Sequence, residues 1–391
     1  MQPLIKSAAD QIQFEIAQQG AIPFRRFMEL ALYCPDSGYY EKEKDTTGQK
    51  GDFYTNVSVG SLFGQLLAFQ FSEWLEKLPA RYGQLQLVEA GAHDGGLAKD
   101  VLTWLSVRRP GLFEKIQYCI VEPSARRQAL QRKTLRAFAP HVGWFGDLQA
   151  ITLNPKAVAK DRQSPFVLPQ SRRVRGVIFS NELLDAMPVH RLGWDANRRD
   201  WFEWGVAFDN GRFVWSRLAD EAALCNLQSA IDKLPPDLLA VLPDGFTTEV
   251  CPAATDWWRQ AAGVLDQGKL LTIDYGLRVP DFLAPQRANG TLRAYHRHQQ
   301  ADDVLANPGE QDLTAHVNYS AIQQAGEAVG LGTEMLASQA QFLTGIVQRA
   351  WRAESNFGPW TSNHTRQFQT LTHPNFLGRP FQVLLQTTDH G

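Results

Sequence analysis

Apolar residues near the N-terminus recur with the spacing of an α-helix. They predict a helix over Ser7–Gln19, which ends at Gly20, and a second helix over Phe24–Leu32. A longer amphipathic helix is predicted from Ser58 to about Leu78. The start of the chain is therefore expected to be helical.

After Gln84 the pattern changes, because short apolar runs now alternate with helical segments. This alternation predicts a parallel sheet whose strands are joined by crossover helices. The predicted strands are Leu85–Glu89, Gln117–Val121, Val142–Phe145, Val174–Ser180 and Lys269–Asp274, followed by two late strands at about Glu334–Ser338 and Phe381–Gln386. The expected fold is α/β, with a doubly wound, mostly parallel, Rossmann-like sheet.

A further segment interrupts the predicted sheet between its fourth and fifth strands. Alternating aromatic residues over Trp201–Arg217 predict a β-hairpin with its turn at Asp209-Asn210-Gly211. A helical stretch is expected over 221–239. The glycine- and histidine-rich stretch Gly290–His298 is expected to form a loop.

These patterns predict an N-terminal helical region over 1–80 and a main domain over 81–391, interrupted by a helical and hairpin cap at about 195–262. The chain has 391 residues, 44% hydrophobic and 20% charged, which is typical of a globular protein. Its formal net charge of -2 gives no strong attraction to nucleic acid. No apolar run is long enough for a membrane span, so no membrane insertion is expected.

The four cysteines, Cys34, Cys119, Cys225 and Cys251, are far apart and form no Cys-x-x-Cys pair. Neither a zinc site nor a disulfide framework is expected from this spacing. The N-terminus also lacks the composition of a signal or transit peptide. These features predict a reducing, cytoplasmic location.

The segment Leu87–Leu97 is the most informative for function. An apolar strand ends at the acidic Glu89, and a turn containing Gly91 and Gly95 leads into a helix. Glycine lets a backbone approach a ligand closely because it has no Cβ. We expect this turn to hold part of a nucleotide-like cofactor.

Two later strand ends carry acids that suit the same ligand. Glu122 follows the second strand and could accept hydrogen bonds from both hydroxyls of a ribose. Asp147 follows the third strand and could accept from the amine of adenine. A glycine turn and strand-end acids without any ligand are the structural alternative.

A dinucleotide-binding domain is the competing interpretation of the glycine turn. His93 stands at the second glycine of the Gly-x-Gly-x-x-Gly pattern, so that pattern is not met. The Glu89 carboxylate would also repel a pyrophosphate, whereas it suits the cationic methionine part of S-adenosylmethionine. The residues therefore favour S-adenosylmethionine as the cofactor.

The chain resembles the MidA-like methyltransferases, a family that includes the mitochondrial complex I assembly-factor protein-arginine methyltransferase. The resemblance covers most of the chain and lies in motifs that occur in order. They are Phe24–Leu32, Pro35–Tyr40, Gly51–Thr55, Leu62–Gln65, Val121–Ser124, Ser180–Val189, Ile273–Gly276, Gly290–Arg293 and Pro308–His316. The resemblance implies a methyltransferase sheet with an added, largely helical subdomain.

The chain departs from the family pattern at two places near the expected cofactor site. The family has a glycine where this chain has His93. Its Thr-x-Pro-Glu motif becomes Thr55-Asn56-Val57-Ser58, so that an acidic residue is missing. Asp52 and Thr55, in the loop before the third predicted helix, remain candidates for cofactor binding.

The catalytic candidates Asn181, Glu182 and Asp185 follow the fourth strand, at the edge where open α/β sheets bind ligands. Glu182 and Asp185 could orient a guanidinium through charge-assisted hydrogen bonds. Alternatively, Asn181 and Asp185 could cap a helix after the strand.

Three functions remain open from the sequence. The first is methylation of arginine on a partner protein, and the second is methylation of a small-molecule nitrogen or oxygen. The third is an assembly factor that keeps the fold but has lost turnover. No metal is expected, because His296, His298 and His316 lack the neighbours that a metal site requires.

Overall fold

The structure is a computed structural model that describes residues 6–42, 55–79, 84–152, 173–218, 241–296, 299–352 and 357–388. The helices in these ranges are α1 (Ala8–Gln19), α2 (Phe24–Tyr33), α3 (Leu62–Leu75), α4 (Gly96–Arg108), α5 (Pro110–Phe113), α6 (Ala125–Thr134), α7 (Pro252–Val264), α8 (Val279–Phe282), α9 (Tyr319–Glu327), α10 (Gln339–Arg352) and α11 (Ser362–Thr372).

The strands are β1 (Ile22–Pro23), β2 (Leu85–Ala90), β3 (Ile116–Val121), β4 (Val142–Phe145), β5 (Val174–Asn181), β6 (His190–Asp195), β7 (Asp200–Asp209), β8 (Arg212–Arg217), β9 (Thr247–Val250), β10 (Leu265–Leu277), β11 (Arg293–His296), β12 (Gln299–Ala301), β13 (Asp312–Thr314), β14 (Val317–Asn318), β15 (Gly332–Ser338) and β16 (Phe381–Thr387). Seven of these strands match the predicted ones closely in place and type.

The chain divides into two compact units, each built from separate stretches of sequence. Unit 1 contains 1–54, 184–256 and 276–322, and unit 2 contains 55–183, 257–275 and 323–391. The predicted helical region over 1–80 thus contributes α1 and α2 to unit 1 and α3 to unit 2.

Unit 2 contains a mixed sheet in the order β15-β16-β10-β5-β2-β3-β4. The strands from β10 to β4 are parallel to their neighbours, while β16 runs antiparallel to both β10 and β15. The α/β class is therefore confirmed, with one reversed strand in the sheet. β2 and β3 are buried along their whole length, as their apolar sequences predict for central parallel strands.

The predicted amphipathic helix after Ser58 differs from α3 in two respects. Val57–Val59 forms a short 3-10 turn, and α3 begins only at Leu62. Eleven of the 14 residues of α3 are buried, so the helix belongs to the core of unit 2 rather than lying on its surface. The prediction of a two-faced helix was wrong here because the polar positions Gln70 and Ser72 are buried too.

Unit 1 contains two antiparallel sheets among its described residues. One has the order β1-β7-β6-β9, with β8 paired to β7, and the other has the order β12-β11-β13. The predicted hairpin is confirmed as β7 and β8, with Asn210 and Gly211 both at positive φ in the turn. The predicted loop at Gly290–His298 was wrong in part, because Arg293–His296 pairs on both sides as strand β11.

The first predicted helix is confirmed together with its ends. The side chain of Ser7 accepts a hydrogen bond from the backbone N–H of Asp10, and Gly20 follows the helix at φ +81°. The predicted helix over 221–239 lies outside the described residues. Within the described ranges, no helix combines the length and apolar character needed to cross a membrane.

Candidate cofactor and active site

The glycine turn after β2 has the sharp backbone that its sequence predicts. Gly91 and Gly95 have φ values of +76° and +83°, and Gly95 precedes the first residue of α4. Between them His93 has φ +46°, a conformation that is uncommon for a residue with a Cβ. The turn therefore keeps the left-handed backbone that a glycine would favour, at some cost in strain.

Glu89 lies at the carboxyl end of β2, where its side chain is almost completely buried. Its Oε2 accepts a hydrogen bond of 2.6 Å from the Tyr118 hydroxyl. Burial raises the pKa of Glu89 to about 7, although the Tyr118 hydrogen bond acts in the opposite direction. A cation beside this carboxyl would favour its ionised form and so lower its pKa.

Glu122 follows β3 and is also buried. Its Oε1 accepts from the backbone N–H of Ser124 at 3.0 Å, and its Oε2 accepts from Nε2 of Gln131 at 3.1 Å. These contacts fix the orientation of the carboxylate beside the glycine turn. Carboxylate oxygens can each accept more than one hydrogen bond, so this arrangement is compatible with a ribose diol.

Asp147 follows β4 and is exposed. Its Oδ1 accepts from the backbone N–H of Ala150 at 2.7 Å, at the start of the 3-10 turn Gln149–Ile151. β3 and β4 pair in parallel, and the Glu122 N–H bonds to the Phe145 carbonyl. Glu122 and Asp147 therefore follow two neighbouring strands. Glu89, Glu122 and Asp147 thus lie at or just after the carboxyl ends of three adjacent strands.

Asn181 and Glu182 lie at the carboxyl end of β5, which pairs with β2. Glu182 has φ +52°, and its Oε1 accepts from the backbone N–H of Asn56 and from Nδ2 of Asn181, both at 3.0 Å. A Cβ on Gly91 would come within 2.9 Å of the Leu183 side chain, so the turn after β5 lies against the glycine turn. Unit 2 therefore brings the predicted cofactor and catalytic segments together.

Asn56 and Asp274 take part in this site but were missed from the sequence. Asn56 is fully buried, and its Nδ2 donates to Oδ1 of Asn181 at 3.1 Å. Asp274, at the end of β10, accepts from the backbone N–H of Leu183 at 3.1 Å. Asn56 lies in the Thr55–Ser58 segment, where the chain lacks an acid of the family motif, and Asp274 lies in the Ile273–Gly276 motif, so both positions carry a weak sequence signal.

The other predicted site residues are placed as follows. Thr55 uses its side chain locally, because its Oγ1 accepts from the backbone N–H of Ser58 at 3.1 Å. Asp185 belongs to unit 1, where it is buried and its main-chain carbonyl accepts from the N–H of Ala315. Asp52 lies outside the described residues.

The helix-capping alternative for Asn181 and Asp185 was wrong. Residues 182–189 form bends and turns, and the next regular element is β6. Their side chains therefore have no helix to cap after β5.

His316 is buried in unit 1, and its Nδ1 makes no hydrogen bond in the part of the chain described here. Burial lowers its pKa to about 4, so the imidazole is neutral near pH 7. No group of three or more His, Cys, Asp or Glu side chains within the described ranges could hold a metal ion.

An α/β sheet with a glycine turn after its central strand and acids after the adjacent strands defines a nucleoside-binding α/β protein. The family model described as S-adenosyl-L-methionine-dependent methyltransferase matches residues 66–336, and the chain belongs to this family. It is therefore a methyltransferase, and S-adenosylmethionine is its cofactor.

A crystal structure of a Burkholderia thailandensis protein bound to S-adenosyl-homocysteine supports the same assignment. The two chains are 31% identical with a TM-score of 0.76, and the match covers 97% of this chain and 91% of that one. The resemblance to the MidA-like family is thus confirmed.

Curated relatives carry a more specific name. The protein arginine methyltransferase NDUFAF7 homologue of Drosophila melanogaster is 28% identical over 83% of this chain and 71% of its own length. The human protein arginine methyltransferase NDUFAF7 is 27% identical over 82% of this chain and 69% of its own length. Both are named mitochondrial, so the predicted cytoplasmic location was wrong.

Proposed function

We propose that this methyltransferase transfers the methyl group of S-adenosylmethionine to an arginine side chain of a partner protein. The observation that carries this proposal is the Glu182 carboxylate, held after β5 next to the strand that leads into the glycine turn. A carboxylate at this edge suits a guanidinium, with which it forms charge-assisted hydrogen bonds. The names of the curated relatives support the same acceptor.

In this proposal the cofactor is held by the residues after β2, β3 and β4. Glu122 binds the ribose hydroxyls, Asp147 binds the adenine amine, and Glu89 faces the cationic methionine part. Gly91 and Gly95 allow the cofactor to approach the backbone closely. Thr55 and Asp52 are proposed on the cofactor side from the sequence alone.

When bound, S-adenosylmethionine supplies a methyl carbon that the positive sulfur already activates. This methyl group would be supplied to a guanidinium nitrogen, and the electrons of the carbon–sulfur bond would return to sulfur. The surplus proton on that nitrogen passes to the Glu182 carboxylate and then to solvent. The chain's task is therefore to align the nitrogen with the methyl group, which is worth a large part of the rate in such reactions.

The hydrogen bonds around Glu182 support this alignment. Asn56 and Asn181 both donate to the same oxygen, so the carboxylate has one preferred orientation. Asn181 is therefore proposed to position Glu182 rather than to bind the acceptor. Asp185 is proposed as a second carboxylate for the cationic side chain.

An assembly factor that binds the cofactor without turnover is the second candidate. The feature that favours it is His93, which holds a left-handed backbone conformation where the family has glycine. Methylation of a small molecule is the third candidate, and the labelling experiment distinguishes it from the other two.

The test is incubation of the protein with methyl-labelled S-adenosylmethionine and a lysate of its own organism. We expect label in a protein band, and acid hydrolysis of that band should release methylated arginine. Label in the small-molecule fraction would instead favour a small-molecule methyltransferase. Cofactor binding without transferred label would favour the assembly factor, and a Glu182→Gln variant is the matched control for contaminating activity.

A further inference from the structure

Gln131, which lies two turns into α6, connects three parts of unit 2. Its side chain is fully buried. The Nε2 group donates to the main-chain carbonyl of His93 at 3.0 Å and to Oε2 of Glu122 at 3.1 Å. Its Oε1 accepts from the indole N–H of Trp144 at 3.1 Å. One amide thus links the glycine turn, the end of β3 and strand β4.

These partners leave a single orientation for the Gln131 amide. An indole N–H can only donate, whereas a carbonyl oxygen and an ionised carboxylate only accept. If the amide were turned over, its NH₂ group would face the indole N–H and its oxygen would face the two acceptors. The contacts to Trp144 and His93 therefore direct the remaining N–H at Glu122.

Two hydrogen bonds orient the Glu122 carboxylate, one from Ser124 and one from Gln131. The Ser124 N–H belongs to the turn next to Glu122 and orients only Oε1, whereas Gln131 reaches Oε2 from nine residues away. Loss of the second contact would remove a hydrogen bond that orients Oε2, and the terminal torsion of a carboxylate is intrinsically broad. A rotated carboxylate would no longer present both oxygens to a diol.

We propose that Gln131 is a positioning residue that sets the affinity for S-adenosylmethionine by holding Glu122 in its ribose-binding orientation. This inference rests on the proposed cofactor site, in which Glu122 binds the ribose. Gln131 itself does not touch the cofactor in this scheme. The strained His93 peptide contributes by anchoring the Gln131 amide through its carbonyl.

The test is a double-mutant cycle that measures the dissociation constant of S-adenosylhomocysteine by calorimetry. Gln131→Glu keeps the side-chain shape and an acceptor for Trp144, removes both N–H donors and places a second carboxyl group beside Glu122. It should weaken binding by about tenfold or more, the scale of one hydrogen bond to a charged group. In the Glu122→Ala background, Gln131→Glu should cause no further loss, because the group through which it acts is gone.

Two further variants separate positioning from folding. Trp144→Phe removes the donor that helps to orient the Gln131 amide but leaves both Gln131 N–H groups in place. We therefore expect lower thermal stability and a loss of affinity that is smaller than in Gln131→Glu. The pair Gln131→Met with Trp144→Phe replaces the amide and its donor by apolar groups, in case Gln131→Glu does not fold. This pair should lose affinity as Gln131→Glu does, and the KM for S-adenosylmethionine should rise while kcat at saturation is kept.

The outcomes are distinguishable. The inference is supported if the wild type binds normally and Glu122→Ala and Gln131→Glu each bind weakly. The double variant should then show no additional loss of affinity. Normal affinity of Gln131→Glu, or additive losses in the double variant, would overturn it while leaving the cofactor site intact. Normal affinity of Glu122→Ala would overturn the ribose assignment itself, and the inference with it.

Discussion

At the scale of single residues, Glu182 combines an uncommon backbone with a constrained side chain. Its φ of +52° is sparsely populated for residues other than glycine, and its N–H bonds to the Ile273 carbonyl at 3.0 Å. Strained residues of this kind persist only where the surrounding structure holds them, and they concentrate at functional sites. This conformation, together with the two contacts to its Oε1, makes Glu182 the most informative position for mutation.

Glu182→Gln keeps the oxygen that accepts from Asn56 and Asn181 but removes the negative charge. We expect cofactor affinity and thermal stability close to those of the wild type, and turnover lower by ~10²-fold, the scale of misaligned reacting groups. The measurements are a melt, a cofactor titration and a turnover assay on one preparation. The exposed Glu114, replaced in the same way, is the matched control. Undiminished turnover with an intact fold would remove Glu182 from the catalytic residues.

Glu89 predicts a dependence of stability on pH. Its pKa is about 7 in the folded protein against an ordinary value of 4.5, mainly because burial disfavours the charged form. Between these values the folded protein binds more protons than the unfolded chain, so its free energy of unfolding decreases as pH rises. Glu89→Gln should remove this decrease, which we expect to be on the order of 2–3 kcal/mol between pH 4.5 and 7.5.

Urea unfolding of the cofactor-free protein at several pH values measures this effect. The difference between wild type and Glu89→Gln should be small near pH 4.5 and should favour the variant near pH 7.5. The Gln side chain keeps an acceptor for the Tyr118 hydroxyl, so that contact is conserved. Equal slopes of stability against pH in the two proteins would contradict the raised pKa.

These site residues differ in how far they could be predicted from the sequence. Glu89, Glu122 and Asp147 could be predicted because each lies at or just after the end of an apolar run, and parallel strands end at a common edge. Gln131 could not be predicted, because its contacts reach residues nine to 38 positions away, and a glutamine on a polar helix carries no signal.

At the scale of the elements, two glycines allow three central strands to pair closely. Gly176 in β5 has φ +147°, and a Cβ there would lie 2.0 Å from the Gln86 carbonyl oxygen in β2. A Cβ on Gly268 in β10 would lie 1.9 Å from the Gly176 carbonyl oxygen. These backbone atoms belong to a paired sheet and cannot move away independently.

Gly176→Ala should therefore be strongly destabilising. We expect a loss of about 3 kcal/mol or more, because the added methyl meets backbone in a disfavoured conformation. Gly263→Ala is the matched control, since that exposed helical position has no heavy atom within 4 Å of the added Cβ. It should be neutral or slightly stabilising. Chemical unfolding of both variants measures the difference, and a neutral Gly176→Ala would contradict the close strand pairing.

Most strands could be predicted because their signal is local. β2, β3 and β5 each contain a run of apolar residues, and the hairpin has a turn sequence that favours positive φ. Two elements were not predicted correctly for physical reasons. α3 has polar residues that are buried only through contacts with distant segments, and β11 has a loop-like composition that becomes a strand because β12 and β13 pair with it.

At the scale of the whole molecule, the chain passes repeatedly between its two compact units. Hydrophobic periodicity reports only on neighbouring residues, so it can locate a helix or a strand but not the unit to which it belongs. α2 and α3 were both predicted as helices from their sequences, yet α2 packs with Val206 and Leu313 in unit 1, whereas α3 packs with Phe179 and Phe381 in unit 2. The assignment of each element to its unit could therefore be made only from the three-dimensional contacts.

The whole enzyme is expected to work without a metal ion. The sulfonium of S-adenosylmethionine is already a good leaving group, so the displacement needs no Lewis acid to polarise a bond. The groups assigned to the site are instead carboxylates, glycines and amides that act through hydrogen bonds and charge. Turnover and the affinity for S-adenosylhomocysteine should both be unchanged after treatment with a chelator and removal of the chelated ions. The decisive comparison is with samples to which zinc or magnesium is returned. If the chelator abolishes turnover and either ion restores it, the reaction depends on a metal and Glu182 must act in a different role.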